Sequence, residues 1–264
     1  MARLHFTFAC SGETLLATLD EAPGDCALMI VTGGNETRAG AWDGQAKLAA
    51  RIALAGWPVL RFDRRGVADS EGENREFTGS AADIAAALTA LRAQAPQVRR
   101  VIGLGNCDGA AALMLAQGAG CDGLILSNPW TIEDGEGAAD RPAEVTRAHY
   151  RQRLRDPAAL KRLLTGKVSL TGLARSLLGL LHRQKARPVA TSLAGQLAAG
   201  IAGFHGPIRF LVAERDRTGQ TFLARWNKAD PRIRRCPDAT HSYVEPHAQD
   251  WLFEQVAEAL SGLS

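Results

Sequence analysis

Gly105-Asn106-Cys107-Asp108-Gly109 lies between an apolar run at 98–104 and a helix-favouring segment at 110–117. The pattern G-x-C-x-G between a strand and a helix is typical of a nucleophile elbow, a sharp turn that lifts the nucleophile above the sheet. Its glycines carry no side chains that would collide with the neighbouring strand and helix. A helix starting here would favour a thiolate through its dipole. We therefore predict that Cys107 is a nucleophile. The structural alternative is a small buried cysteine in a glycine-rich turn.

Strands and helices alternate on both sides of this turn. Continuous apolar strands separated by helices are typical of a parallel sheet that is covered on both faces, so the fold class is α/β. Two early strands joined by the turn Ser11-Gly12-Glu13 predict an antiparallel hairpin at the sheet edge. The predicted strands are 5–8, 14–19, 27–31, 58–62, 98–104, 123–126, 208–213 and 229–234, and the predicted helices are 42–55, 81–93, 110–117 and 248–260.

The alternation stops between residues 131 and 206, where segments rich in Arg and Leu take over. We interpret 131–206 as a helical cap inserted into a core formed by 1–130 and 207–264. Between Arg141 and Pro188 there are 12 Lys and Arg against two acids, Glu144 and Asp156. A basic amphipathic cap can contact anionic lipid, receive an anionic substrate or meet a protein partner. A lid whose arginines are simply solvated explains the same charges.

Composition limits the remaining classes of function. The 264 residues are 46% hydrophobic, enough for one large core, and a net charge of +3 gives no reason to expect nucleic acid as a partner. The five cysteines are odd in number and scattered, so we expect no disulfide framework, and they lack the CxxC spacing of a zinc or redox site. No apolar run is long enough to span a bilayer. We expect a soluble, cytoplasmic enzyme without metal or organic cofactor, and the oligomeric state stays open.

A thiol nucleophile needs a base, and His241 is our choice among six histidines. It follows the last predicted strand and precedes the last helix, so it should emerge at the same sheet edge as Cys107. Asp216, after the strand 208–213, is the expected carboxylate that orients the histidine, in the order nucleophile, acid, histidine. His247 and Glu214 are the alternatives for the two roles.

Gly33-Gly34-Asn35 follows the strand 27–31, at a position suited to an oxyanion donor. Glycines there let a backbone N–H approach the substrate closely. We expect the oxyanion to be bound by the N–H of Asp108 together with that of Gly34 or Asn35. A turn that requires positive φ explains the same glycines, and the spacing matches neither common phosphate-binding glycine motif.

The segment Arg61 to Gly72 resembles the D-x-R-G-x-G-x-S segment of α/β-hydrolases, with Ala68 in place of the second glycine. Further motifs resemble the exosortase A system-associated hydrolases of bacterial exopolysaccharide clusters. The resemblance implies the α/β-hydrolase fold, a triad centred on cysteine, and a role around envelope polysaccharide or its lipid carrier. The matching motifs are Thr32-Gly33-Gly34-Asn35-Glu36, Arg61-Phe62-Asp63-Arg64-Arg65-Gly66, Gly105-Asn106-Cys107-Asp108, Asn128-Pro129-Trp130, and Asp216 with Thr218.

The choice of cysteine over serine bears on the substrate. A thiolate is a good nucleophile near neutral pH and a good leaving group, which suits thioesters, activated esters and lactones. Dienelactone hydrolases also place a cysteine in this elbow. We expect hydrolysis of a small acyl substrate. The alternatives are a hydrolase-fold protein that binds a lipid-linked or anionic partner, and an acyltransferase that transfers the acyl group to a sugar hydroxyl.

Overall fold

A single eight-stranded sheet forms the centre of the protein in the computed structural model, which describes residues 2–133 and 192–263. The strand order is β1-β2-β4-β3-β5-β6-β7-β8. The strands are β1 (Arg3–Cys10), β2 (Glu13–Asp20), β3 (Cys26–Val31), β4 (Val59–Phe62), β5 (Arg100–Asn106), β6 (Gly123–Ser127), β7 (Ile208–Ala213) and β8 (Ile233–Cys236).

Only β2 runs against its neighbours among these eight strands. It is antiparallel to β1 and β4, whereas every pair from β4 through β8 is parallel. The hairpin of β1 and β2 turns at Ser11 and Gly12, both with positive φ, as tight hairpin turns require. The predictions of a mostly parallel sheet and of an edge hairpin are therefore confirmed.

Six helices are found in the described residues, and they cover both faces of the sheet. Because side chains alternate along a strand, Leu28 and Ile30 of β3 pack toward one face, and Met29 and Val31 pack toward the other. The first face meets α1 and α6, and the second meets α2, α3, α4 and α5. The helices are α1 (Gly44–Leu54), α2 (Ala81–Gln94), α3 (Asp108–Leu115), α4 (Leu193–Ala202), α5 (Arg217–Arg225) and α6 (Pro246–Ser261).

Two predicted elements begin later in the structure than expected, and one helix is not predicted from the sequence. The last strand was predicted at 229–234 but begins at Ile233, because Asp230 closes a turn by accepting the backbone N–H of Arg232 at 3.0 Å. The helix predicted at 42–55 begins only at Gly44, because Trp42 and Asp43 have positive φ within a 3-10 turn. Helix α5 was not predicted.

The cap prediction concerns residues that lie mostly outside the described ones, since 134–191 are not described. The basic charge of that segment falls there too. The described end of the predicted insertion contains α4, which packs with the core. A methyl group on Gly200 would lie 2.2 Å from the Met114 carbonyl oxygen in α3, and Leu197 and Ile201 are buried beside that helix. Within the described residues, no helix is both long and apolar enough to cross a bilayer.

Candidate active site

Three parallel strands bring the predicted triad residues to one edge of the sheet. Cys107 directly follows β5, Asp216 comes three residues after β7, and His241 lies in the loop after β8. The carboxyl ends of parallel strands share an edge, so residues far apart in the chain meet there. The structure brings Cys107, His241 and Asp216 into contact.

Cys107 occupies a strained turn between β5 and α3. Its φ of 59° and ψ of −124° lie in a region that side chains rarely adopt. Its N–H donates to the Ser127 carbonyl at 2.9 Å, and its own carbonyl accepts the N–H of Trp130 at 3.1 Å. These bonds to the end of β6 hold the turn. A methyl group on Gly105 would lie 2.5 Å from the Gly109 carbonyl, so close packing of strand and helix requires glycine there.

His241 lies between the acid and the thiol. Its Nδ1 is 2.9 Å from Oδ2 of Asp216, although the Nδ1–H is not turned straight at that oxygen. Burial alone would lower the pKa of the imidazole. Interactions with Asp216 and Cys107 outweigh burial and raise the pKa of His241 to about 10. The charged imidazolium is therefore favoured in this position.

Asp216 also caps helix α5. Its Oδ1 accepts the N–H of Thr218 at 3.2 Å, and its Oδ2 accepts the N–H of Gly219 at 2.9 Å. Two N–H groups of the first helical turn thus fix the carboxylate that faces His241. The Asp216 side chain is only 7% exposed, so contacts with the protein rather than with solvent hold it in place.

Two asparagines that were not assigned a role from the sequence position the histidine loop. Asn128 donates to Asn106 Oδ1 at 3.0 Å and accepts the N–H of Ala213 in β7 at 2.9 Å. Asn106 in turn donates to the His241 carbonyl at 3.3 Å. The ends of β5, β6 and β7 are linked to the histidine in this way. Asn128 stands in the motif Asn128-Pro129-Trp130, the one sequence signal that marked it.

The turn after β3 differs from expectation in its hydrogen bonding. The N–H of Gly34 donates to Oδ1 of Asp108 at 2.5 Å, so it is not free to bind an oxyanion in this arrangement. Arg64 Nη2 donates to the Gly34 carbonyl at 2.5 Å and lies 3.5 Å from Asp108 Oδ2. Among the described residues, the N–H groups of Asn35 and Asp108 have no partner. Of the two donors predicted in this turn, Asn35 is the one still available.

Neither His247 nor Glu214, the alternatives for the base and the acid, takes part in the contact of His241 with Asp216 and Cys107 in the described residues. His247 Nε2 lies 2.9 Å from the Pro237 carbonyl. Glu214 is exposed, and no contact joins its side chain to His241 within the described residues. In residues 2–133 and 192–263, no group of three or more His, Cys, Asp or Glu side chains is suited to hold a metal ion.

The five cysteines all lie in the described part of the chain, and Cys107 alone among them is not buried. Burial raises the pKa of Cys26 and Cys236 to about 11 and that of Cys121 to about 12. Burial and the Asp83 carboxylate also raise the pKa of Cys10. Since the thiolate is the reactive form, these four thiols are poor nucleophiles.

A model of the alpha/beta hydrolase family matches residues 28–255. No curated protein sequence matches the chain significantly. The esterase Pf2001 of Pyrococcus furiosus is 15% identical, with a TM-score of 0.62 over 99% of this chain and 92% of that one. Est1E of Butyrivibrio proteoclasticus, solved with ferulic acid bound, is 15% identical, with a TM-score of 0.60 over 97% of this chain and 98% of that one.

A third similar structure is XC6422 of Xanthomonas campestris, described as an α/β serine hydrolase without a lid. It is 14% identical, with a TM-score of 0.59 over 100% of this chain and 95% of that one. At these identities the likeness shows the shared fold. The family match, in contrast, covers both the elbow and the loop that carries His241.

Proposed function

Since the chain belongs to the alpha/beta hydrolase family, we propose that it hydrolyses ester or thioester bonds through an acyl-enzyme on Cys107. His241 is the base, and Asp216 is the carboxylate that orients it. The observation that carries the proposal is the placement of His241, whose Nδ1 lies 2.9 Å from Asp216 and whose imidazole interacts with the partly exposed Cys107 thiol on a strained elbow.

The reaction proceeds in two displacements. The Cys107 thiolate adds to the acyl carbon, and the tetrahedral intermediate expels the alcohol or thiol, which takes a proton from the His241 imidazolium. A water molecule then loses a proton to His241 and attacks the acyl-enzyme. Collapse of the second intermediate releases the carboxylic acid and restores the thiolate and the imidazolium.

The negative oxygen of each intermediate is bound by the backbone N–H groups of Asp108 and Asn35. The Asp108 N–H opens helix α3, whose dipole adds positive potential at the same point. The Asn35 N–H is supported as the second donor because the Gly34 N–H is already bonded to Asp108.

Small acyl esters are the proposed substrates because two proteins of this fold are described as esterases or hold a phenolic acid, and because a thiolate suits activated acyl groups. The resemblance to exosortase A system-associated hydrolases supports an acyl compound of envelope polysaccharide production. A reduced thiol nucleophile also fits the cytoplasm, where thiols stay reduced.

The first test uses short-chain p-nitrophenyl esters and acyl-CoA thioesters, before and after treatment with iodoacetamide. We expect alkylation at Cys107 ahead of the four buried cysteines, with turnover lost in step with that alkylation. Cys107→Ala should lower kcat about a thousandfold or more. Mass spectrometry of the alkylated protein identifies the residue.

Cys107→Ser is the matched variant, because it keeps the size of the side chain and the fold but replaces the thiol. It should resist iodoacetamide and retain less activity than the wild type. Full turnover by a protein alkylated at Cys107 would contradict the proposal. Absence of turnover on every acyl substrate, with binding of an anionic or lipid-linked ligand that survives Cys107→Ala, would favour the binding protein instead.

A further inference from the structure

Two side chains hold the turn after β3, next to the nucleophile. Oδ1 of Asp108 accepts the Gly34 N–H, and Arg64 Nη2 donates to the Gly34 carbonyl, each at 2.5 Å. The same Nη2 lies 3.5 Å from Asp108 Oδ2. The two peptide groups of Gly34 are therefore fixed by the Asp108 carboxylate and the Arg64 guanidinium, which also contact each other.

We propose that Asp108 and Arg64 are positioning residues that aim the backbone N–H of Asn35 at the oxyanion. This inference rests on the proposed function of Cys107. In a trans peptide the C=O and N–H point in opposite directions, so the bond from Arg64 to the Gly34 carbonyl turns the Asn35 N–H away from the buried guanidinium. Gly34 and Asn35 are exposed, so that direction leads to the open side of the turn.

The turn needs such support because the backbone at Gly34 has little of its own. Gly34 has a φ of +56°, and no atom would lie within 4 Å of a methyl group added to it, so no close packing confines it. One backbone bond closes the turn, from the Glu36 N–H to the Gly33 carbonyl at 3.2 Å. An oxyanion donor lowers the barrier only when it is held in place before the reaction.

Arg64 anchors this arrangement in the core. Its side chain is 3% exposed, and Nη1 donates to the Ser80 hydroxyl at 3.1 Å. Ser80, itself buried, donates to the Glu76 carbonyl at 2.7 Å, in the segment that leads into α2. The position of the turn is thus coupled to the loop between β4 and α2 as well as to the elbow.

The decisive comparison is Asp108→Ala against Asp108→Asn. Both variants remove the same charge, but asparagine keeps an oxygen that can accept the Gly34 N–H. We expect kcat on p-nitrophenyl acetate to be about tenfold lower in Asp108→Ala than in Asp108→Asn, with KM nearly equal, because the lost contact acts on the transition state. Arg64→Met, which releases the Gly34 carbonyl, should lower kcat relative to the wild type by a similar factor.

Alkylation by iodoacetamide provides an independent readout. The Cys107 sulfur forms a bond to carbon and iodide leaves, so no oxyanion develops. We expect the two Asp108 variants to be alkylated at Cys107 at equal rates. Thermal unfolding shows whether each variant is folded, and if Arg64→Met fails to fold, the Asp108 pair alone decides the question.

Two results would overturn the inference. One is an Asp108→Ala enzyme whose kcat equals or exceeds that of Asp108→Asn. That result would mean that the carboxylate only occupies the oxyanion site and does not position the Asn35 N–H. The other is alkylation that falls in parallel with kcat, which would indicate a distorted elbow. Failure of the proposed function looks different, because the wild type itself would then keep its turnover after alkylation of Cys107.

Discussion

Asp216 contacts two different parts of the molecule. One oxygen accepts an N–H of helix α5, and the other accepts a second such N–H and faces His241 Nδ1. An N-cap contributes about 1 kcal/mol to stability. The same contacts hold the carboxylate still, so they also keep the histidine oriented.

Asp216→Asn separates these two roles, because asparagine caps a helix as well as aspartate but carries no charge. The raised pKa of His241 is a folded-state property, so the ion pair stabilises the protein fully below the unfolded pKa of 6.5, and this contribution is lost as the pH rises to about 10. We expect the stability difference between wild type and Asp216→Asn to shrink over that range. Urea denaturation at a series of pH values measures it.

His241→Gln supplies the control for this prediction. In that background no imidazole titrates next to residue 216, so Asp216→Asn should have the same effect on unfolding at pH 6.5 and at pH 10. A wild-type difference that stays constant from pH 6.5 to pH 10 would show that the ion pair does not form.

The sequence predicts that Cys107, Asp216 and His241 meet at one edge of the sheet, but it does not predict the contacts of Asp108. Cys107, Asp216 and His241 each follow a recognisable strand, and strand order suffices to bring them together. Whether the Gly34 N–H is free depends on side-chain contacts with residues 64 and 108, which no local pattern encodes. The sequence therefore left Gly34 and Asn35 as equal choices.

At the scale of elements, the junction of β5 and α3 depends on Gly105. A methyl group on Gly105 would meet the Gly109 carbonyl and the Ala110 N–H at 2.5 Å, both of them backbone atoms. Gly105→Ala should therefore separate strand and helix, costing about 2 kcal/mol of stability, and should lower kcat by moving Cys107. Thermal unfolding and turnover measure the two effects.

Gly203→Ala is the matched substitution, since Gly203 has a φ of −94° and no atom within 4 Å of the added methyl group. It should change neither stability nor turnover appreciably. If Gly105→Ala behaved in the same way as Gly203→Ala, the close packing of the elbow would not be required.

Buried elements were easier to predict than exposed ones. Strand β7 was predicted with its observed bounds because it is an apolar run. Strand β8 lies at the edge and carries two exposed arginines, so its sequence lacks that signal and its start is not predicted. Helix α5 is not predicted from the sequence because polar residues dominate it, and its N-cap, Asp216, is predicted only as the carboxylate that orients the histidine.

At the scale of the whole molecule, the sheet formed by residues 2–133 and 192–263 ends at β8. Among these residues the strand pairs only with β7, so its outer edge can add another chain. Charged side chains such as Arg235 oppose such pairing. We expect Arg235→Val to increase the rate of association in light scattering at fixed protein concentration. Arg92→Val removes an exposed charge from helix α2 and should have a smaller effect, and equal rates for the two variants would contradict the edge mechanism.

The distribution of the site along the chain also has a consequence for biosynthesis. The turn at Gly34, the elbow at Cys107, the acid and the histidine emerge from the ribosome in that order, and the base comes last. A nascent chain can pair β3 with β4 and β5 and form the elbow early. In the proposed mechanism the Cys107 thiol needs His241 as its base. On that proposal the nascent chain cannot turn over substrate until residue 241 has been made and β8 has joined the sheet.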